Sequence, residues 1–157
     1  MSRAKALTQM DHINEGRKEL VEKEMAMLDA RYQEIGRTTQ FSATQAAGAG
    51  NYLAMAGWNA EKINAGLPSV VNLAISSGSG VESAADILSN IQTGFGYGTD
   101  EKSIQHLADV LTYTVTHSNQ NLQQLGDTMK YVAPVAKMFG SSVEETSALT
   151  KFMADAG

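Results

Sequence analysis

The sequence predicts an all-α fold: a long charged N-terminal helix, then an array or bundle of about six antiparallel helices with short Gly/Asn turns. Three observations predict it. Apolar residues recur at spacings of three and four along most of the chain, no segment alternates with the period of two that a strand requires, and one turn signature returns at an even step. The signature is a glycine or asparagine, any residue, a helix-capping residue, any residue, and an acid or amide. It stands at Gly57-Trp58-Asn59-Ala60-Glu61, Gly78-Ser79-Gly80-Val81-Glu82 and Gly140-Ser141-Ser142-Val143-Glu144. Looser copies are Gly36-Arg37-Thr38-Thr39-Gln40, Gly98-Thr99-Asp100-Glu101-Lys102 and Asn119-Gln120-Asn121-Leu122-Gln123. First positions therefore fall at 36, 57, 78, 98, 119 and 140, a step of 20 or 21 residues.

Each element of the signature has a physical task. Glycine, or asparagine in second place, takes the left-handed conformation that closes a helix. Two residues on, Thr38, Asn59, Gly80, Asp100, Asn121 and Ser142 suit the start of the next helix. An acid in the following turn, such as Glu61, Glu82 or Glu144, faces the positive end of the helix. The turn and cap residues Gly57, Asn59, Gly78, Gly80, Gly98, Asp100, Asn119, Asn121, Gly140 and Ser142 are thus expected to punctuate the fold.

Taken in order, residues 3–35 read as one long helix with apolar positions at Leu7, Met10, Ile13, Leu20, Met27, Leu28 and Ile35. Arg17, Glu24 and Arg31 interrupt its heptad seam, so a coiled coil here would be weak. A solvated arm and a partner-binding coiled coil fit this text equally. Residues 1–37 carry seven basic and seven acidic side chains, whereas residues 38–157 carry five and ten, the whole of the net charge of −5. This break divides the chain into a charged helical arm, 1–37, and a helical bundle, 38–157.

Residues 38–60 hold no charged side chain, and their small residues Ala43, Ala46, Ala47, Gly50 and Ala54 suit close helix packing, with Phe41, Leu53 and Trp58 as anchors. Asn59 to Ser77 places Ile63, Leu67, Val70, Ala74 and Ser77 on one face; Pro68 should kink or restart it. The next stripes are Val81, Ala84, Leu88, Ile91 and Phe95, then Ile104, Leu107, Ala108, Leu111 and Val115. Leu122, Leu125, Met129, Val132, Ala136 and Phe139 follow, in a helix that Pro134 should bend one turn back. The final helix offers Ala148, Leu149, Phe152 and Met153 to the core.

Composition narrows the function classes. A pI of about 5.1 opposes a nucleic-acid footprint, and no specific nucleic-acid motif is present. The absence of cysteine excludes disulfides, thiolate catalysis and sulfur-ligated metal. Gly94-Phe95-Gly96-Tyr97-Gly98 lacks the strand, lysine and spacing of a phosphate loop and reads as a connection whose aromatics plug the core. His12, His106 and His117 have no second ligand at helical spacing, and His106 with Asp109 makes no metal site by itself. No catalytic, cofactor-binding or metal-binding constellation emerges, so no enzyme and no cofactor is expected.

Several stretches together are similar to the shared helical region of the phage tail tape measure protein family of long-tailed phages and prophages. They are residues 53–63 (Leu53-Ala54-Met55-Ala56-Gly57-Trp58-Asn59-Ala60-Glu61-Lys62-Ile63), Ala84-Ala85-Asp86-Ile87-Leu88, Phe95-Gly96 and Leu107-Ala108-Asp109-Val110-Leu111. Met129-Lys130-Tyr131-Val132-Ala133-Pro134-Val135-Ala136 and Phe139-Gly140-Ser141-Ser142-Val143-Glu144-Glu145-Thr146 complete the set. The resemblance covers residues 38–157 and not the arm. It implies a structural component of a phage tail, a fragment of a protein that sets tail length in assembly and leaves with the DNA at infection. It further implies the tube lumen of the virion tail, or host cytoplasm during assembly, as location, and tail tube and tail assembly proteins as partners, with self-association through helices. Membrane contact would belong only to the parent protein. The competing readings are a generic α-helical repeat scaffold and, behind it, a muralytic or membrane-active domain.

Overall fold

The computed structural model describes residues 3–157, and the side chains of all of these except 3, 4 and 6. Among the described residues there are seven helices and no strand: α1 (Arg3–Thr38), α2 (Ala43–Met55), α3 (Ala60–Ser77), α4 (Val81–Phe95), α5 (Glu101–Thr116), α6 (Leu122–Met138) and α7 (Val143–Ala156).

The six shorter helices stack by alternation, each packing chiefly on the helix two places away. α2, α4 and α6 form one row, while α3, α5 and α7 form the other, with α3 also lying against α4. The last turns of α1 cover α2 and α3 at one edge, through buried Ile35 and half-buried Leu28 and Tyr32. The rest of α1 projects with Leu7, Met10, Ile13, Leu20, Val21 and Met25 exposed. Between the rows lies one core containing Leu53, Leu67, Leu88, Ile91, Ile104, Leu107, Leu111, Leu125 and Met129.

Helix starts are fixed by side-chain caps. Asn59 Oδ1 accepts from the Lys62 amide at 2.9 Å, Asp100 from Ser103 at 3.1 Å and Asn121 from Gln124 at 2.8 Å. Ser42, Asn121 and Ser142 form reciprocal capping boxes with Gln45, Gln124 and Glu145. Gly80 begins α4 with no side chain to contribute.

The closing residues differ in part from expectation. Gly57, Gly78 and Gly140 have φ of 91°, 67° and 73°. After α4 the residue with positive φ is Gly96, at 66°, and not Gly98. The reason lies in the backbone ladder: the Tyr97 amide bonds Gln92 O at 2.9 Å and the Gly96 amide bonds Thr93 O at 3.1 Å, which together close α4. The Gln92 side chain also donates to the Tyr97 carbonyl, pinning the turn. Asn119 closes nothing, because α5 ends at His117 with φ −117°. Its amide instead donates to Asp155 Oδ1 at 2.9 Å.

The first boundary also moves. α1 runs through Gly36 to Thr38, and Ser42, not Thr38, caps α2. A Cβ on Gly36 would stand 2.8 Å from the Ala43 amide nitrogen, so this glycine serves a close approach between α1 and α2. Neither proline restarts a helix: α3 passes through Pro68 and α6 through Pro134. The buried face of α2 is Ala46, Ala49, Gly50 and Leu53, with Ala54 exposed. Phe139, Leu149, Phe152 and Met153, expected inside, are exposed, and α7 turns Val143, Thr146, Ser147 and Thr150 inward instead.

Within the α2–α4–α6 row, neighbouring helices approach closely at glycines. A Cβ on Gly126 of α6 would lie 2.9 Å from two carbons of Ile87 of α4, and one on Gly94 would lie 2.9 Å from the Ala133 methyl. Gly16, in the projecting part of α1, has nothing within 4 Å. Opposite outcomes follow from the same substitution. Gly126→Ala should destabilise by about 1–3 kcal/mol through overpacking, against a helix preference that favours alanine. Gly16→Ala should raise α1 helicity, by up to about 1 kcal/mol. Urea unfolding followed by circular dichroism measures both.

Candidate functional site

The sequence-predicted punctuation residues do not gather. Gly57, Asn59, Gly98, Asp100, Gly140 and Ser142 occupy the links after α2, α4 and α6, at one end of the stack. Gly78, Gly80, Asn119 and Asn121 occupy the links after α3 and α5, at the other end. They support the helices, and only Asn119 and Asn121 among them line a common cleft, with Ser76 and Ser77 of α3.

The side chains that do meet are ones the sequence kept 38 residues apart. Glu144, in the first turn of α7, pairs with His106 Nε2 on α5. Its carboxyl is held below the usual value of 4.5, first by this bond and also by the backbone amide at the helix start. Tyr97, on the α4–α5 link, feels Glu144 as well: burial first, and then the Glu144 charge, push its hydroxyl above the usual 10.0. Glu144 therefore does more than face a helix end: it ties the α7 start to α5. The capping role falls to Glu145, which accepts from the Ser142 amide at 2.9 Å.

At the other end of α7, Asp155 is held below 3.8 by Lys151, whose Nζ lies 2.6 Å away, and by the Asn119 amide. Between these two clasps, α5 and α7 enclose a mainly apolar groove of about 480 Å³ lined by His106, Val110, Tyr113, Ser147, Ala148 and Lys151, among others. The Ser147 hydroxyl is buried there with no hydrogen-bond partner. An activated serine needs a base within hydrogen-bond reach, and His106 is engaged by Glu144 instead. Among the described residues no group of three His, Asp or Glu side chains gathers as metal ligands, and no helix is long and apolar enough to cross a membrane. The chemistry on display is clasping, in which charge and polar contacts hold one helix.

Comparison with known proteins bears on what such a stack is for. Residues 29–157 match the family described as phage-related minor tail protein. The chain belongs to that family. It is 34% identical over 134 residues to the tape measure protein of Pneumococcus phage Dp-1, covering 85% of this chain and 12% of that protein. It is also 34% identical over 133 residues to a protein of Escherichia phage P2 named a probable tape measure protein, covering 85% of this chain and 16% of that one. The chain thus spans less than a fifth of the length of these relatives. No solved structure matches it. Membership makes it a structural component of a phage tail, and the matched region begins inside α1, at residue 29, where that helix starts to pack on the stack.

The clasp has a pH signature. A carboxyl held below its ordinary value contributes stability that is present above that value and lost as pH falls through the lower, folded-state one. The Glu144 contribution should therefore be full above about pH 5 and fade in acid, below its ordinary 4.5. Glu144→Gln should flatten that part of the acid profile. Because both partners are well exposed, its cost near neutral pH should stay within about 1 kcal/mol. Hydrogen exchange of α7 amides across pH 3–7 reads the effect directly.

Proposed function

We propose that this chain is the compact, non-measuring part of a tape measure protein. Its parent sets tail length during assembly, resides in the tail tube lumen after assembly in the host cytoplasm, and leaves with the DNA at infection. The tail tube and tail assembly proteins are its partners, and the charged arm, residues 1–37, is the segment that reaches them or a second copy of the chain. Residues 38–157 act as a folded block. The observation that carries this reading is the stacking of six short helices around a shared core.

Magnitudes separate a block from a ruler. A continuous helix of all 157 residues would span roughly 235 Å at about 1.5 Å per residue. The stacked helices have 13 to 18 residues each and reach only about 20–27 Å. α1 is the one helix with reach: its 36 residues span about 54 Å, and the part before Leu28 projects from the stack.

In-frame duplication of residues 38–157 in the phage gene tests the proposal by electron microscopy of tails. The added 120 residues should lengthen the tail by far less than the roughly 180 Å that a continuous helix would contribute. Lengthening near that value would show that this region is extended in the tail. A peptidoglycan-release assay checks the muralytic alternative, and release that is lost on changing one glutamate would replace the structural reading.

A further inference from the structure

The stack is closed at one edge and open at the other. α4 is packed on both sides, by α2 and by α6, and α5 likewise by α3 and α7. At the N-terminal edge, the end of α1 covers α2 and α3. Among the described residues, nothing covers α6 and α7 in the corresponding way.

Helical geometry identifies the uncovered sides. Gly126 faces Ile87 of α4 and Ala133 faces Gly94, so the α4 side of α6 runs along 126, 129 and 133. Two residues on from each is the opposite side, about 200° around the helix: Thr128, Tyr131 and Val135, extended by Met138. On α7 the α5 side runs along Glu144, Ser147 and Lys151, which line the α5–α7 groove. Its opposite side passes through Leu149 and Met153. Tyr131, Val135, Met138, Leu149 and Met153 are each more than half exposed. The two sides are contiguous, because Gln124 and Thr128 of α6 line one groove with Thr150 and Met153 of α7.

These positions are where the next helices of each row would lie, and they carry exposed apolar side chains at helical spacing. We propose that the α6–α7 face is the docking surface for a further helical hairpin of the same polypeptide, stacked two places on in each row. The occupant is an amphipathic helix pair, with small or apolar residues toward α6 and α7. Residues 38–157 are then the closed first units of a longer two-row array. This places the block within its protein and is independent of whether the block measures length. The reversed polarity of α7, hydroxyls inward and Leu149 and Met153 outward, follows: its apolar stripe belongs to the next interface.

Labelling rates test the proposal: residues 1–157 hold no cysteine, and any cysteine elsewhere in the full-length protein is first replaced by serine. Val135→Cys, Leu149→Cys and the control Met55→Cys, on the exposed end of α2, are introduced singly into the full-length phage protein and into the 157-residue chain. Maleimide labelling of positions 135 and 149 should be at least tenfold slower than at 55 in the full-length protein, and comparable to it in the 157-residue chain. Equally fast labelling at all three sites in the full-length protein overturns the proposal. Protection of 135 and 149 in the 157-residue chain that rises with protein concentration, with a dimer mass, assigns the face to a second copy and overturns it as well.

Discussion

Everything after Thr38 depends on α4 being gripped from both sides. A 15-residue helix is too short to hold itself together in water and must be held by its neighbours. α2 and α6 do this, and the α6 side works because Gly126 admits Ile87 and Gly94 admits Ala133. Once these two helices flank α4, the hairpin links place α3 and α5 in the second row, and the core closes around Leu67, Leu88, Ile104 and Leu111. The caps then fix where each helix starts, and so the register of the contacts.

Most of this order was legible in local text. Asn59, Asp100, Asn121 and Ser142 start helices because their side chains reach an amide three residues ahead, a relation contained within four residues of sequence. The stripes of α4, α5 and the first part of α6 were legible for the same reason, since helical periodicity is local. Gly98 was misread because three alternating glycines offer three closing positions. The choice of Gly96 is made by the Gln92 side chain bonding back to the Tyr97 carbonyl. Gly36 and Gly126 look alike in sequence to closing or helix-weakening glycines; only the partner's position shows that they are contact points.

The functional features were the least legible, because they are made between helices. His106 and Glu144 read separately as a scattered histidine and a helix-start acid, and meet only through the α5–α7 packing. The apolar stripe of α7 was visible, but sequence periodicity assigns such a stripe inward by default. In the structure it lies outward, because the inward side is occupied by Val143, Thr146, Ser147 and Thr150 and by the two polar clasps. Together these features describe a block whose last helix is held by polar contacts on one side and presents an apolar surface on the other.

The central claim is that residues 38–157 fold back on themselves with only the α1 arm projecting. Solution X-ray scattering of the 157-residue chain tests it most directly. The account predicts a compact core, with a radius of gyration near 14 Å for about 120 residues, and a maximum dimension below about 100 Å once the arm is included. A rod-like profile with a maximum dimension approaching roughly 235 Å would contradict it.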